Sequence, residues 1–129
     1  MSDTHPTYFE CVNPILRVED MSAAVHYYVE VLGFKQAEWG NEYFTSVSRD
    51  KAGIYLVKGE QGNVGSWAWI GVGDAQKVYE ELLAKGATIQ QGPRNYPWAL
   101  EIHVKDPAGN VLRMGSEPLP NKPFDPWEP

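Results

Sequence analysis

One cysteine among 129 residues, Cys11, excludes an intrachain disulfide and a thiolate metal cluster. No apolar run reaches the roughly 20 residues a membrane-crossing helix needs. The opening MSDTHPTYFE has no basic stretch followed by an apolar core, so it does not read as a signal peptide, and a cytoplasmic protein is expected. Basic clusters are missing too. The 11 Lys and Arg residues are scattered singly against 17 Asp and Glu, and the net charge of -6 gives no footprint for nucleic acid or an anionic membrane. There is no phosphate-cradling glycine loop and no activated serine or cysteine arrangement. Only three histidines are present. His5 reads as a surface residue of a flexible start and His26 as a structural or exposed helix residue, whereas His103 lies in a strand pattern. Cys11, just ahead of the first strand, reads as a small buried or half-buried side chain.

What remains is a composition suited to one folded domain: 43% apolar and 22% charged residues, too short for two independent cores. A strand is predicted over 12–18, with Val12, Leu16 and Val18 on one face, Asn13, Ile15 and Arg17 on the other, and Pro14 marking an outer or irregular start. Asp20 is a helix cap for MSAAVHYYVEVL, whose buried stripe is Ala24, Tyr28, Val31 and Leu32; Gly33 suits a left-handed stop. Strands follow over 34–39, 42–49 and 53–58, with hairpin signals at Gly40-Asn41 and Asp50 to Gly53. The segment 59–65 has no period and reads as a linker.

The order then restarts. SWAWIGV alternates like a strand, Asp74 caps AQKVYEELLAK with Val78 and Leu82 at helical spacing, and Gly86 closes that helix. A short strand TIQQG, a loop NYPWA marked by Pro93 and Pro97, a strand WALEIHVKD, the turn DPAGN and a last strand NVLRMGS complete the set. Each capping Asp stands two residues after a valine and 12 or 13 before a glycine. The chain therefore reads as a positional repeat of strand, helix and three strands: an α+β fold with modules over about 12–58 and 66–116. The tail 117–129 carries five prolines, which bars a helix or sheet. Its two readings are disorder and docking through Phe124 and Trp127.

LRVEDMSAAVHYYVEVLGFK together with PWALEIHVKDPAGNVLRM resembles the glyoxalase, bleomycin-resistance and extradiol-dioxygenase superfamily, also called vicinal oxygen chelate proteins, over roughly residues 12 to 116. The resemblance implies two paired βαβββ modules forming a curved mixed sheet and a cavity. It also implies a homodimer in which the first module of one chain faces the second module of the other. Enzymatic branches hold a divalent metal with four inward residues, and the resistance branch sequesters an antibiotic without one. Carried onto this chain, the metal positions fall on Asn13, Tyr55, Trp67 and Arg113. An amide, a phenol, an indole and a guanidinium are no site for a divalent cation, so no metal and no other cofactor is expected. Shifts of two residues bring Ile15, Val57 and Trp69, which are no better.

Trp67 and Trp69, two apart in a strand, emerge on one face. With Trp39, Phe44, Tyr55 and Trp98 they are candidates for an aromatic wall that holds planar groups by stacking. Arg17 and Arg113 can add charge-assisted donors, and Asn13, Glu101 and His103 can orient polar parts of a ligand. The leading expectation is noncovalent sequestration of a small aromatic or heterocyclic molecule by a homodimer. A cationic bleomycin-type antibiotic is one candidate whose approach an acidic protein favours. Two alternatives stand beside it: a metal-free lyase or isomerase using Glu101 and His103 as acid-base groups, and an interaction protein whose aromatic cleft serves assembly alone.

Overall fold

The computed structural model describes residues 6–127; His5 lies outside them. Asp20 accepts from the Ala23 amide and starts α1 (Met21–His26), which follows β1 (Ile15–Arg17). The helix continues as a π-helical turn over Tyr27–Val31, and Gly33 leaves it with φ 77°. Strands β2 (Lys35–Gln36), β3 (Phe44–Arg49) and β4 (Ala52–Val57) complete a four-stranded sheet of order β1-β4-β3-β2, in which β1 and β4 run parallel.

The second module repeats this plan. β5 (Trp67–Gly71) precedes α2 (Ala75–Ala84), capped by Asp74 and left through Gly86 with φ 84°. β6 (Thr88–Asn95), β7 (Leu100–Lys105) and β8 (Val111–Ser116) give the order β5-β8-β7-β6, again with its first and last strands parallel. The fold is thus two βαβββ modules, each with one four-stranded mixed sheet. No helix among the described residues is long and apolar enough to cross a membrane.

Alternation decides what each sheet turns inward. Leu16, Val47, Ile54 and Leu56 from the first sheet and Ile102, Val104, Leu112 and Met114 from the second are buried in one core with Ala24, Tyr28, Leu32 and Leu82 of the helices. Polar bonds sew the modules together at the DPAGN turn. Tyr28 donates its hydroxyl to Asp106 (2.9 Å), Tyr27 donates to the Lys105 carbonyl (2.8 Å), and the buried Asn110 side chain donates to the Arg17 carbonyl (2.9 Å) while accepting from the Ser66 amide (3.0 Å). Burial, reinforced by the Asp106 carboxylate, pushes the Tyr28 phenol well above its usual range, so it stays a donor. On the surface Arg49 of β3 grips Glu81 of α2 with two 2.8 Å bonds.

Several local expectations are corrected. The first strand begins at Ile15 rather than at 12, which leaves Val12 outside it and exposed, and Cys11 exposed instead of buried or half-buried. The helix is not α-helical throughout; the Leu32 amide reaches back five residues to the Tyr27 carbonyl (3.0 Å). β6 runs through Gly92 and Pro93 to Asn95, longer than TIQQG and overlapping the expected NYPWA loop. It can do so because it is the sheet's edge and is bulged, so Pro93 interrupts no central ladder. The tail does not wander: its described part docks along β6 through Asn95 and Asp125, and Trp127 meets Trp98, while Phe124 stays exposed.

Candidate functional site

The face of each sheet turned away from the core carries the sequence-predicted side chains. On the first sheet, pairing sets Phe44 beside Val57 and Ile15 beside Tyr55. The Phe44 and Tyr55 rings stack with centroids 5.3 Å apart at 15°, and Trp39 joins them at 5.7 and 6.1 Å. Arg17 shares this face through its pairing with Val57.

On the second sheet, β7 turns Leu100, Ile102 and Val104 inward and Glu101, His103 and Lys105 outward. Glu101 pairs with Gly115, and His103 with Arg113, across the β7–β8 ladder. Trp67 and Trp69 follow on β5, both just over half exposed, at 55% and 53%. The Trp67 ring stands edge-on to His103 at 5.3 Å. The Trp69 ring lies across Gly115, where an added Cβ would sit 2.3 Å from it, and the Arg113 guanidinium carbon is 5.5 Å from its centroid.

Glu101 is fully buried at the centre of this face. Arg113 reaches one carboxylate oxygen through Nε (2.6 Å) and the other through Nη2 (3.0 Å), Trp98 donates its indole N–H, and His103 Nε2 lies 3.1 Å from Oε1. Burial pushes the Glu101 carboxyl up, but the hydrogen bonds from Arg113, Trp98 and His103 outweigh it and hold the group below the usual carboxylate range. An ionised carboxylate only accepts, so all four contacts are donors to it. The acid-base pair expected of Glu101 and His103 is therefore in contact, but Glu101 is committed to a fixed network and is poorly placed to take a substrate proton.

Of the eleven candidates, Trp39, Phe44, Tyr55 and Arg17 gather on the first sheet, and Trp67, Trp69, Trp98, Glu101, His103 and Arg113 on the second. Asn13 stands over Gly53 and, with Trp69, lines a cavity of about 710 Å³ at the module junction, floored by Ile54 and Leu82. Sequence reasoning missed Tyr96, which stacks beneath Trp98 at 4.8 Å and 11°, and Gly115, the floor under Trp69. A glycine inside a strand was the available signal for the latter.

The donor set does not suit a divalent metal. Asn13 precedes the first strand and Tyr55 lies on the first sheet, Trp67 and Arg113 lie on the other, and Arg113 carries a fixed positive charge into the position. No three His, Cys, Asp or Glu residues cluster as ligands among the described residues.

A family model described as Glyoxalase/Bleomycin resistance protein/Dioxygenase superfamily matches residues 8–114. The chain belongs to this superfamily. Among solved structures of the superfamily fold, the chain is similar to the bleomycin-binding protein of bleomycin-producing Streptomyces verticillus, complexed with copper(II)-bleomycin. The two are 26% identical with a TM-score of 0.76, over 86% of this chain and 98% of that one. TnmS3, an antibiotic binding protein from Streptomyces sp. CB03234, shares the fold at 22% identity and TM-score 0.74, over 87% and 99% of the two chains. Lactoylglutathione lyase from Agrobacterium tumefaciens shares it at 16% and 0.71, over 85% and 96%. No match is found among curated proteins. The superfamily hosts both binding proteins and enzymes, so the site's own chemistry has to choose between them.

Proposed function

We propose that this superfamily member binds and sequesters a small aromatic or heterocyclic molecule noncovalently, in the cytoplasm, as a homodimer with two equivalent clefts. The observation that carries the reading is the pair of aromatic faces whose indoles stay about half exposed. Trp39, Phe44 and Tyr55 form half a wall on one module, and Trp67, Trp69 and Trp98 form half a wall on the other. Each cleft is closed when the first module of one chain faces the second module of its partner. Planar groups then stack on the rings, worth about 0.5 to 1.5 kcal/mol per good aromatic pair beyond the area buried. Asn13, Arg17, His103 and Arg113 meet the polar parts.

The likeness to a bleomycin-binding protein supports a bleomycin-type ligand. The commitment of Glu101 to Arg113 and Trp98 supports binding over acid-base turnover. Sedimentation velocity combined with calorimetric titration of copper(II)-bleomycin and a panel of planar heteroaromatic compounds tests the proposal. A dimer that binds one ligand per chain is expected. A monomer that binds none of them overturns it, and conversion of a bound compound into product shifts the case to the lyase or isomerase alternative.

A further inference from the structure

Ordering a proline-rich tail costs backbone entropy of about 1 to 2 kcal/mol per residue, lessened where proline already restricts the chain. In this molecule the tail is nevertheless tied down by a specific latch. Asn95, at the end of β6 and nearly fully buried, accepts from the Leu119 amide (2.8 Å) and donates through Nδ2 to the carbonyls of Leu119 (3.1 Å), Pro123 (3.4 Å) and Lys122 (3.5 Å). Its backbone amide donates to the Asp125 carboxylate (2.7 Å), and the Asp125 amide donates back to the Asn95 carbonyl (2.8 Å). The strap 117–127 starts beyond the stretch that the family model matches, 8–114, so the family pattern does not supply it.

The latch delivers Trp127, and it does not bury it. The ring stands at 80° to Trp98, centroids 6.3 Å apart, while Trp98 is backed on Tyr96 and pinned to Glu101 through its indole N–H. Both indoles remain about half exposed, 49% for Trp98 and 55% for Trp127. Two half-exposed indoles, of which Trp98 is fixed by Tyr96 and Glu101, meet at 80° at the edge of the Glu101 network and make an apolar corner. We propose that the C-terminal strap is a ligand-binding element, in which Asn95 and Asp125 position Trp127 so that it and Trp98 together clasp a planar heteroaromatic ring. The proposal rests on the small-molecule reading above and adds Trp127 as a specificity-determining residue.

The test is calorimetric titration of the full chain with two probes, copper(II)-bleomycin and proflavine, for wild type, Trp127→Ala, Trp127→Phe and Asp125→Ala, with thermal melting of each ligand-free protein. Loss of one stacking ring predicts about fivefold weaker binding for Trp127→Ala, equivalent to about 1 kcal/mol, with most of the affinity retained by Trp127→Phe. Asp125→Ala removes the carboxylate bond nearest Trp127, frees the last residues of the strap from β6 and weakens binding in the same direction. Trp127→Ala with Asp125→Ala together adds nothing further, because both remove the same contact. Trp127→Ala leaves the melting temperature unchanged, since the latch bonds survive. Wild-type affinity in Trp127→Ala overturns the strap's role and leaves the small-molecule reading standing. Loss of affinity in Trp127→Ala with none in Asp125→Ala overturns the latch. A wild-type protein that binds neither probe overturns both.

Discussion

Glu101→Gln removes the charge at the centre of the second sheet's outer face while keeping the side chain's shape. Glutamine offers one acceptor oxygen and an NH2 group, so the four donors converging from Arg113, Trp98 and His103 lose an acceptor and meet a donor instead. Breaking a buried ion pair from one side typically costs about 3 to 5 kcal/mol. Here the Arg113 side chain is 33% exposed, so water recovers part of its solvation and about 2 to 3 kcal/mol at neutral pH is the expected loss. Urea denaturation at fixed protomer concentration reads this as a midpoint lowered by roughly 1 M. The pH dependence gives an independent check. Because the folded-state pKa of Glu101 is depressed, its contribution is present above the unfolded carboxyl value and is lost as pH falls through the folded one. Wild type and variant should therefore converge in acid. A loss below about 0.5 kcal/mol at neutral pH, or a gap that stays constant into acid, refutes the view of Glu101 as an ionised hub.

Gly115→Ala puts a Cβ 2.3 Å from the Trp69 ring and 3.3 Å from Ala99; a cost of about 1 to 3 kcal/mol and an altered tryptophan emission spectrum are expected, with an unchanged spectrum counting against the observed ring position. Tyr28→Phe deletes the hydroxyl donor to Asp106 and should cost about 1.5 to 3 kcal/mol in urea melts. The raised Tyr28 pKa means that wild-type stability is kept below pH 10 and falls above it as the unfolded phenol ionises, a loss the phenylalanine variant does not share. Arg49→Ala or Glu81→Ala breaks a pair more than a third exposed on each side, so the stability change should stay within about 1 kcal/mol and shrink further in high salt.

Much of the architecture was legible because it rests on local chemistry. Asp20 and Asp74 cap helices in the structure as their positions foretold, Gly33 and Gly86 take the left-handed conformation that stops them, and alternation put Glu101 and His103 on the face opposite Ile102 and Val104. The same reasoning erred where neighbours override propensity. Pro93 looked like a loop marker, yet an edge strand with bulges accommodates it; Val12 fitted a strand period, yet it has no ladder partner and stands in solvent.

The candidate site divides along the same line. Periodicity and residue type by themselves determined that the chain is a two-module α+β protein and that Trp67 and Trp69 share a face. The resemblance, carried onto the sequence, put Asn13, Tyr55, Trp67 and Arg113 at the family's metal positions, and their residue types are no set for a divalent cation. Only tertiary structure decided that Glu101 is held by Arg113, Trp98 and His103 rather than free to move protons, that Trp69 rests on Gly115, and that Asn95 fastens a strap bringing Trp127 to Trp98. Capping and alternation are read within a few residues of the chain, whereas the polarity of a carboxylate and the neighbours of a ring depend on segments 12 or more residues away, such as Arg113 from Glu101, Asp125 from Asn95 and Gly115 from Trp69.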